Sequence, residues 1–423
     1  MIRVSYFEYR PNKINALILH HLCYASRKLW NVANFERRNW TKDSGVPYPD
    51  WYEQKKRLKD HFWYKHLPSQ SAQEVLKVLH EAWKSFYELK KSGEIEHPKP
   101  PRYKHRNFNV KFLNNGFRIE DHRIRLSIPA KQKTYLQETC GIKVKYAYIP
   151  IPKHIEIHHV KTVEVKPLSD GKYKIILAQE YNDVPIKKGS AKFMSIDMGI
   201  ANALTCYDYQ GKSHILSGRQ WLSVERYFHK KIAHYQAISD AQQAAKGIQY
   251  PKKSKRVLQL YRKRKAQTFH ILHCMTKKVI DLAVKQGVET IIIGDITGIR
   301  ENTHLGKKTN QKLHQLPYDQ IFKQIKYKAE EKGIEVVKIS EEYTSQTCAV
   351  CKPFPSKEFA HQSNRKHRGL YVCKDCHTAL NADVNGAINI AKKYLKEIDD
   401  LSQSVVVLDT PTVYTFNGHQ FVA

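Results

Sequence analysis

Two periodicities divide the chain. Between residues 11 and 105 apolar positions recur every three or four residues: Ile14, Ile18, Leu22, Ala25, Leu29 and Val32 form one stripe, and Val75, Leu79, Ala82, Phe86 and Leu89 another. That spacing predicts two amphipathic helices, each with one buried face. Ser71 and Glu74 read as a capping box for the second. The aromatic, basic stretch 40–64 between them reads as helix or loop. A proline-rich run at 97–106 breaks the pattern, and short strand-like segments follow at 110–112, 117–119, 124–128, 160–165 and 173–179. The last two flank Ser169-Asp170-Gly171-Lys172, a hairpin-turn sequence. With a first strand near residues 2–9, these segments predict an antiparallel β-domain interrupted by helices.

The pattern changes at Lys192. An apolar strand, 193–197, ends in Asp197; segments 203–207 and 214–216 pair across Asp208-Tyr209-Gln210-Gly211. A basic helical stretch, 221–285, leads to a second buried-type strand at 289–294. A helix at 318–332 then leads through Gly333 to a third strand at 335–339. Strands joined by helical crossovers imply an α/β sheet with parallel members, covered on its faces.

Charge changes the picture. The 423 residues carry a formal net charge of +32 on an ordinary 41% hydrophobic content, so the charge is not a sign of disorder. A polyanionic partner is the simplest reason for such an excess. Arg226, Lys230, Lys231, Lys252, Lys253, Arg256, Arg262 and Arg264, all in the basic helical stretch, are candidate phosphate contacts. The tail after Lys396 has no Lys or Arg and is not expected to be a nucleic-acid arm. The N-terminus does not read as a signal peptide, and no apolar run reaches transmembrane length. A cytoplasmic, nucleoid-associated prokaryotic protein is expected, with Cys23, Cys140, Cys206 and Cys274 as reduced core thiols.

Three features carry chemistry. Cys348 and Cys351, then Cys373 and Cys376, are two CxxC knuckles separated by 21 residues, the donor set of a closed structural Zn2+ site. The basic loop between them cannot bury a core, so metal would supply its fold. Lys352 and His377 stand where such knuckles often place glycine, which predicts strain there. Asp197, at the end of an apolar strand, is unfavourable unless paired or holding a cation. Asp383 opens a helix, as a cap or as a second metal-binding carboxylate.

As an ordered set, Ser195-Ile196-Asp197-Met198-Gly199-Ile200, the run from Tyr343 to Cys348 with Cys351, the Cys373/Cys376 pair, and the run from Asn381 through Asp383 to Ile390 resemble TnpB. TnpB proteins are encoded in insertion sequences and are ancestral to the compact type V CRISPR effectors. The resemblance implies a multidomain α/β plus β protein. A β-barrel-like (wedge) domain would span 1–10 and 106–188, a helical recognition domain 11–105, and an RNase H-like, RuvC-type nuclease domain 190–345 and 378–396. A zinc module, 346–377, would be inserted in it, and a tail, 397–423, would follow. The implied activity is Mg2+-dependent, RNA-guided cleavage, with guide RNA and double-stranded target DNA as partners, no membrane partner, and a monomeric protein. Asp197 and Asp383 would hold two Mg2+ ions.

The second motif departs from the family. Its middle strand generally ends Glu-Asp, whereas here Gly294 precedes Asp295. Glu341 or Glu342, at the end of the third strand, could substitute. Strand alternation puts Ile339, Glu341 and Tyr343 on one face and favours Glu341. Asp295 is an alternative that needs a local backbone change. A nuclease-inactive, RNA-guided repressor is the other reading, and a compact type V effector is a near relative. An unguided zinc-ribbon binder would leave Asp197 unexplained.

Overall fold

The computed structural model describes residues 1–168, 170–296, 317–367, 369–398 and 410–423. They form two compact units, Met1–Asp183 and Val184–Ala423.

In the first unit β1 (Ile2–Tyr9), α1 (Lys13–Asn39), α2 (Trp51–Arg57), α3 (Phe62–Lys65) and α4 (Ser69–Ser92) precede β2 (Val110–Phe112), β3 (Phe117–Glu120) and β4 (Arg123–Ser127). Then come α5 (Ala130–Cys140), β5 (Tyr146–Pro150), β6 (His159–Pro167) and β7 (Tyr173–Glu180). Strands β1-β7-β6-β2 make one antiparallel sheet and β3-β4-β5 another. Ile18, Leu22, Ala25 and Leu29 of α1 and Val75 and Leu79 of α4 are buried, as their spacing predicts, while Ile14, in the first turn of α1, is exposed.

Several expectations are corrected. Helix α4 starts at Ser69 with Pro68 as its N-cap, so there is no capping box. Ser71 lies inside the first turn with its hydroxyl buried and unbonded, and Glu74 pairs with Lys111 at 3.0 Å. Helix α5 and strand β5 went unpredicted: α5 buries only Gln132 and Leu136, too few positions to mark a period. Ser169, in the predicted turn, lies outside the described residues; beside it Leu168 N–H donates to Lys172 O at 2.8 Å. Cys23 and Cys206 are core thiols, but Cys140 is exposed at the end of α5 and Cys274 is half-buried.

The second unit holds a seven-stranded sheet. Its elements are β8 (Phe193–Asp197), β9 (Asn202–Asp208), β10 (Ser213–Ser217), α6 (Arg219–Ala244), α7 (Lys255–Lys285), β11 (Thr290–Asp295), α8 (Tyr318–Glu330) and β12 (Glu335–Ser340). A small sheet, β13 (Arg365–His367), β14 (Leu370–Val372) and β15 (Ala379–Asn381), leads into α9 (Ala382–Glu397), and β16 (Thr412–Phe416) and β17 (Phe421–Val422) end the chain. The large sheet runs β12-β11-β8-β9-β10-β16-β17. Strands β8, β11 and β12 are parallel, and β8-β9-β10 is an antiparallel meander.

Both faces of this sheet are apolar, so both are covered. Met194, Ile196, Ile291 and Ile293 pack with Ile271, Met275 and Val279 of α7 and Ile321 and Ile325 of α8. Phe193, Tyr207 and Ile292 pack on the other face with Val384, Ala387, Ile388 and Ala391 of α9. The basic stretch is a helical hairpin, closed by Phe228, Ile232, Val257 and Leu260. Of the tail, residues 399–409 lie outside the described part, and β16 docks parallel to β10. No described helix is long and apolar enough to cross a membrane.

Candidate active site and metal centre

Strand alternation aims the first carboxylate. Phe193, Ser195 and Asp197 share the face of β8 that meets α9. Ser195 Oγ donates to Ala387 O at 2.7 Å, pinning strand to helix. A Cβ at Gly386 would lie 3.0 Å from Asp197 Oδ2, so glycine at 386 is what lets α9 approach so closely. Asp383 sits one turn earlier. It does not cap α9, because Asn381 does, accepting from the backbone N–H of Asp383 (2.9 Å) and Val384 (3.3 Å). The Asp383 carboxylate is thereby free to face the sheet, where Asn202 Nδ2 donates to its Oδ2 at 2.8 Å and Arg365 lies 3.5 Å from its Oδ1.

Glu341 completes the cluster. It follows the last residue of β12, beside Gly294 of β11, which pairs with Ile339. A Cβ built at Gly294 would fall 2.5 Å from Glu341 Cγ and 2.6 Å from its Cδ, overlapping the carboxyl group. The Glu341 side chain therefore occupies the space that a side chain on position 294 would enter. Its Oε1 is buried and has no hydrogen-bond partner. Burial, with the charge of Asp295, pushes Glu341 up to about 7 against the pull of Lys393. Burial, then Glu341 and Asp383, hold Asp197 well above the usual carboxylate range, with Arg365 opposing. Converging acids in that state call for a cation.

All three line a cavity of about 980 Å3 that also takes in Asn202, Arg365 and Thr415. Asp295 does not line it: it points to the opposite face of β11, 3.5 Å from Lys338. Glu342 is exposed. The alternation extended to Tyr343 is wrong, because β12 stops at Ser340 and Tyr343 adopts φ +65°, inside a turn.

The four cysteines come together. Their sulfurs all lie within 4.8 Å of one another, with Cys348–Cys376 and Cys351–Cys373 both at 3.7 Å, so they could hold one metal ion. Among the described residues no three carboxylate or imidazole groups are gathered so tightly. The loop between the knuckles has a small core after all, since Tyr371 is fully buried between Cys348 and Cys373.

Of the two knuckle positions expected to be strained, only His377 is, at φ +55°. Left-handed backbone costs a non-glycine residue about 1–2 kcal/mol, and the His377 side chain is exposed. His377→Gly is expected to tighten metal binding by up to about fivefold, after about 1 kcal/mol is lost to glycine's greater unfolded freedom. Competition against a chelator would measure it.

Residues that sequence reasoning missed hold the two centres together. Asn385 Oδ1 accepts from Ala349 N–H at 2.9 Å, and Asn389 Nδ2 donates to the carbonyls of Thr344 and Thr347, both at 2.8 Å. These buried asparagines tie α9 to the turn between Glu341 and Cys348. Two asparagines at i and i+4 inside an apolar helix were the available signal. Asn202 and Arg365 left none. Of the basic candidates, Arg226, Lys230, Lys231, Lys252, Lys253, Arg256 and Arg262 are exposed. Arg264 is half-buried, its Nε 3.7 Å from the buried Glu225 carboxylate.

Residues 176–300 match a family model described as "Probable transposase", and residues 318–390 one described as "Cas12f1-like, TNB domain". A TnpB-like protein of Acidianus two-tailed virus is 26% identical, over 90% of this chain and 84% of its own. A CRISPR-associated endodeoxyribonuclease Cas12f1 from Sulfoacidibacillus thermotolerans is 29% identical, over 67% of this chain and 66% of its own. The protein chain in a cryo-EM structure of a Cas12f1–sgRNA–target DNA complex superposes with a TM-score of 0.60 at 14% identity, covering 90% of this chain and 83% of that one, which shows a shared fold. In the order of its motifs, in these matches and in its fold, the chain is similar to TnpB-like proteins and to the Cas12f effectors.

Proposed function

We propose that this protein is an RNA-guided DNA endonuclease of TnpB type whose missing second-motif glutamate is replaced by Glu341. The observation that carries this is the overlap of the Glu341 carboxyl group with the side-chain space of Gly294. A nuclease that had simply lost its glutamate has no reason to keep a buried, unbonded acid at that spot.

In this reading the meander and parallel strands of the large sheet, with α7, α8 and α9, form the RNase H-like, RuvC-type domain, interrupted by the zinc module. The first unit supplies the wedge and recognition parts. Asp197, Glu341 and Asp383 would hold two Mg2+ ions, which when bound activate water and stabilise the leaving oxygen in phosphodiester hydrolysis. Asn202 orients Asp383 and Arg365 balances its charge. The exposed cations of α6 and α7 would follow phosphates of the guide–target duplex, whereas Arg264 braces the hairpin through Glu225. Zinc suits the cysteines because sulfurs ~2.3 Å from a tetrahedral ion are about 3.8 Å apart, close to the 3.7 Å found here.

The test is plasmid cleavage by protein purified with its bound RNA. Wild type is expected to cut with Mg2+. Asp197→Ala, Asp383→Ala and Glu341→Ala should each lose on the order of 10^3 in rate, and Asp295→Ala should stay within about tenfold. Target binding without cutting in the wild type would instead identify a guided repressor.

The raised Glu341 sets the pH dependence. Metal-free folded protein keeps its proton up to about 7. The stability gained from that proton is therefore complete below the ordinary carboxylate range and is lost as pH rises to 7. Mg2+ must displace that proton, so its apparent affinity should fall by about tenfold per pH unit below 7. Thermal melts with and without Mg2+ from pH 5 to 8 would show the two slopes with opposite sign.

A further inference from the structure

The first unit contains a second cavity, of about 410 Å3, lined by Arg37, Tyr48, His80, Trp83, Lys84 and Tyr87 among others. Arg37 is its unusual member. It is only 3% exposed, yet among the described residues no carboxylate lies within ion-pair distance. Its Nε donates to Gln54 Oε1 at 2.8 Å and its Nη1 lies 3.5 Å from His80 Nδ1, while its buried Nη2 makes no well-aligned hydrogen bond; the Tyr48 hydroxyl is the neighbouring oxygen and Asp50 the nearby acid. The Tyr48 hydroxyl is likewise buried, close to Arg37 and the Tyr87 hydroxyl but well aligned with neither, and the Tyr48 ring centroid lies 5.7 Å from the guanidinium. A guanidinium does not shed its charge to escape burial. A buried one left half-satisfied beside a cavity is a site waiting for an acceptor.

The walls say which acceptor. Trp83 and Tyr87 lie 5.6 Å apart, inclined by 36°, and Tyr48 meets Tyr87 edge-on at 6.4 Å. Such walls offer flat apolar faces, which a bare phosphate would leave uncovered. A flat heterocycle would gain stacking on its faces and two hydrogen bonds on its edge. Lys84 and Lys91, seven residues apart on α4, stand exposed at the rim with Glu88, which lies 3.9 Å from Lys84, and flanking phosphates of a bound chain would run along the two lysines.

We propose that this cavity receives one unstacked nucleobase, stacked on Tyr87 and Trp83, whose edge acceptors bind Arg37 Nη2 and the Tyr48 hydroxyl. The site is separate from the acidic centre and captures a single-stranded nucleotide rather than cutting it. It rests on the nucleic-acid-binding function proposed above. An extruded guide-RNA nucleotide and an extruded DNA nucleotide present the same chemistry.

Photocrosslinking of the full-length, RNA-loaded protein tests this. The probes are 5-iodouridine in the RNA and 5-iododeoxyuridine in a target DNA, because iodinated pyrimidines couple to aromatic rings on which they stack. The expected result is an adduct on Tyr48, Trp83 or Tyr87, from one of the two probes. It should drop at least tenfold in Tyr87→Ala and in Arg37→Gln, survive in Tyr87→Phe, and be unaffected by Asp197→Ala. Because Arg37→Gln removes a buried group, the exposed Tyr87 pair carries the test if that variant misfolds. Nucleic acid bound at normal affinity with no adduct in this segment, or an adduct indifferent to Tyr87→Ala, overturns the pocket alone. A protein that binds neither RNA nor DNA overturns the pocket together with the proposed function.

Discussion

Replacing Gly294 with alanine is expected to abolish most cleavage, by on the order of 10^2- to 10^3-fold, although it adds a single methyl group. The strand itself has no objection to alanine, whose Cβ every other residue of β11 also carries. The obstacle is Glu341. The new Cβ would sit 2.5 Å from its Cγ, and the acid would have to leave the position from which it faces Asp197. Loss of one carboxylate from a two-ion site removes several kcal/mol of transition-state stabilisation, and 4 kcal/mol is about 10^3 in rate.

The converse substitution makes the prediction sharper. In Gly294→Glu/Glu341→Gly the acid grows from β11 instead of β12, into the same space. Cleavage should return to within about tenfold of wild type, while Gly294→Glu alone stays inactive because two side chains compete for one site. If the double variant is no better than Glu341→Gly, Glu341 is not a replacement for the lost glutamate. Asp295→Asn supplies a different signature. It leaves the ligands in place but removes a charge that raises Glu341, so the acid limb of the pH–rate profile should move to lower pH with the plateau rate little changed.

Removal of metal from the cysteines is the second large effect. Structural zinc in small modules contributes about 10–16 kcal/mol, which is folding energy there. The buried Cys348, Tyr371 and Cys373 make too small a core to replace it. Cys373→Ala, or a strong chelator, should therefore unfold the segment from about residue 346 to 378, seen as rapid proteolysis within it. Cleavage should fail too, though no cysteine lines the acidic cavity. The route runs through the turn after Glu341. Its carbonyls at Thr344 and Thr347 are held by Asn389, Ala349 by Asn385, and Arg365 reaches Asp383 from β13. Cleavage at full rate by a demonstrably metal-free module would show that the two centres are independent.

The parts of this protein legible in its sequence are those written in local pattern. The stripes of α1 and α4, the apolar strands β8 and β11, and the paired knuckles each announce themselves within about 30 residues, because periodicity and ligand spacing are local quantities. Helix α5 and strand β5 failed that test through mixed composition. The docking of β16 against β10 was open because an edge strand is chosen by what it meets, not by its own sequence.

The chain by itself determined that an acid ends the apolar strand β8 and that two CxxC pairs offer four thiolates to one ion; its resemblance to TnpB added that an acid is missing at Gly294. It narrowed the substitute to Glu341, Glu342 or Asp295 and went no further. Tertiary structure sets which of them reaches the space beside Gly294, because β12 lies parallel to β11 in a register that pairs Gly294 with Ile339. That register delivers Glu341 into the vacant space and sends Asp295 to the opposite face. An absent side chain in a sheet is room for a neighbour's, and which neighbour reaches it is a matter of strand pairing across 47 residues of chain.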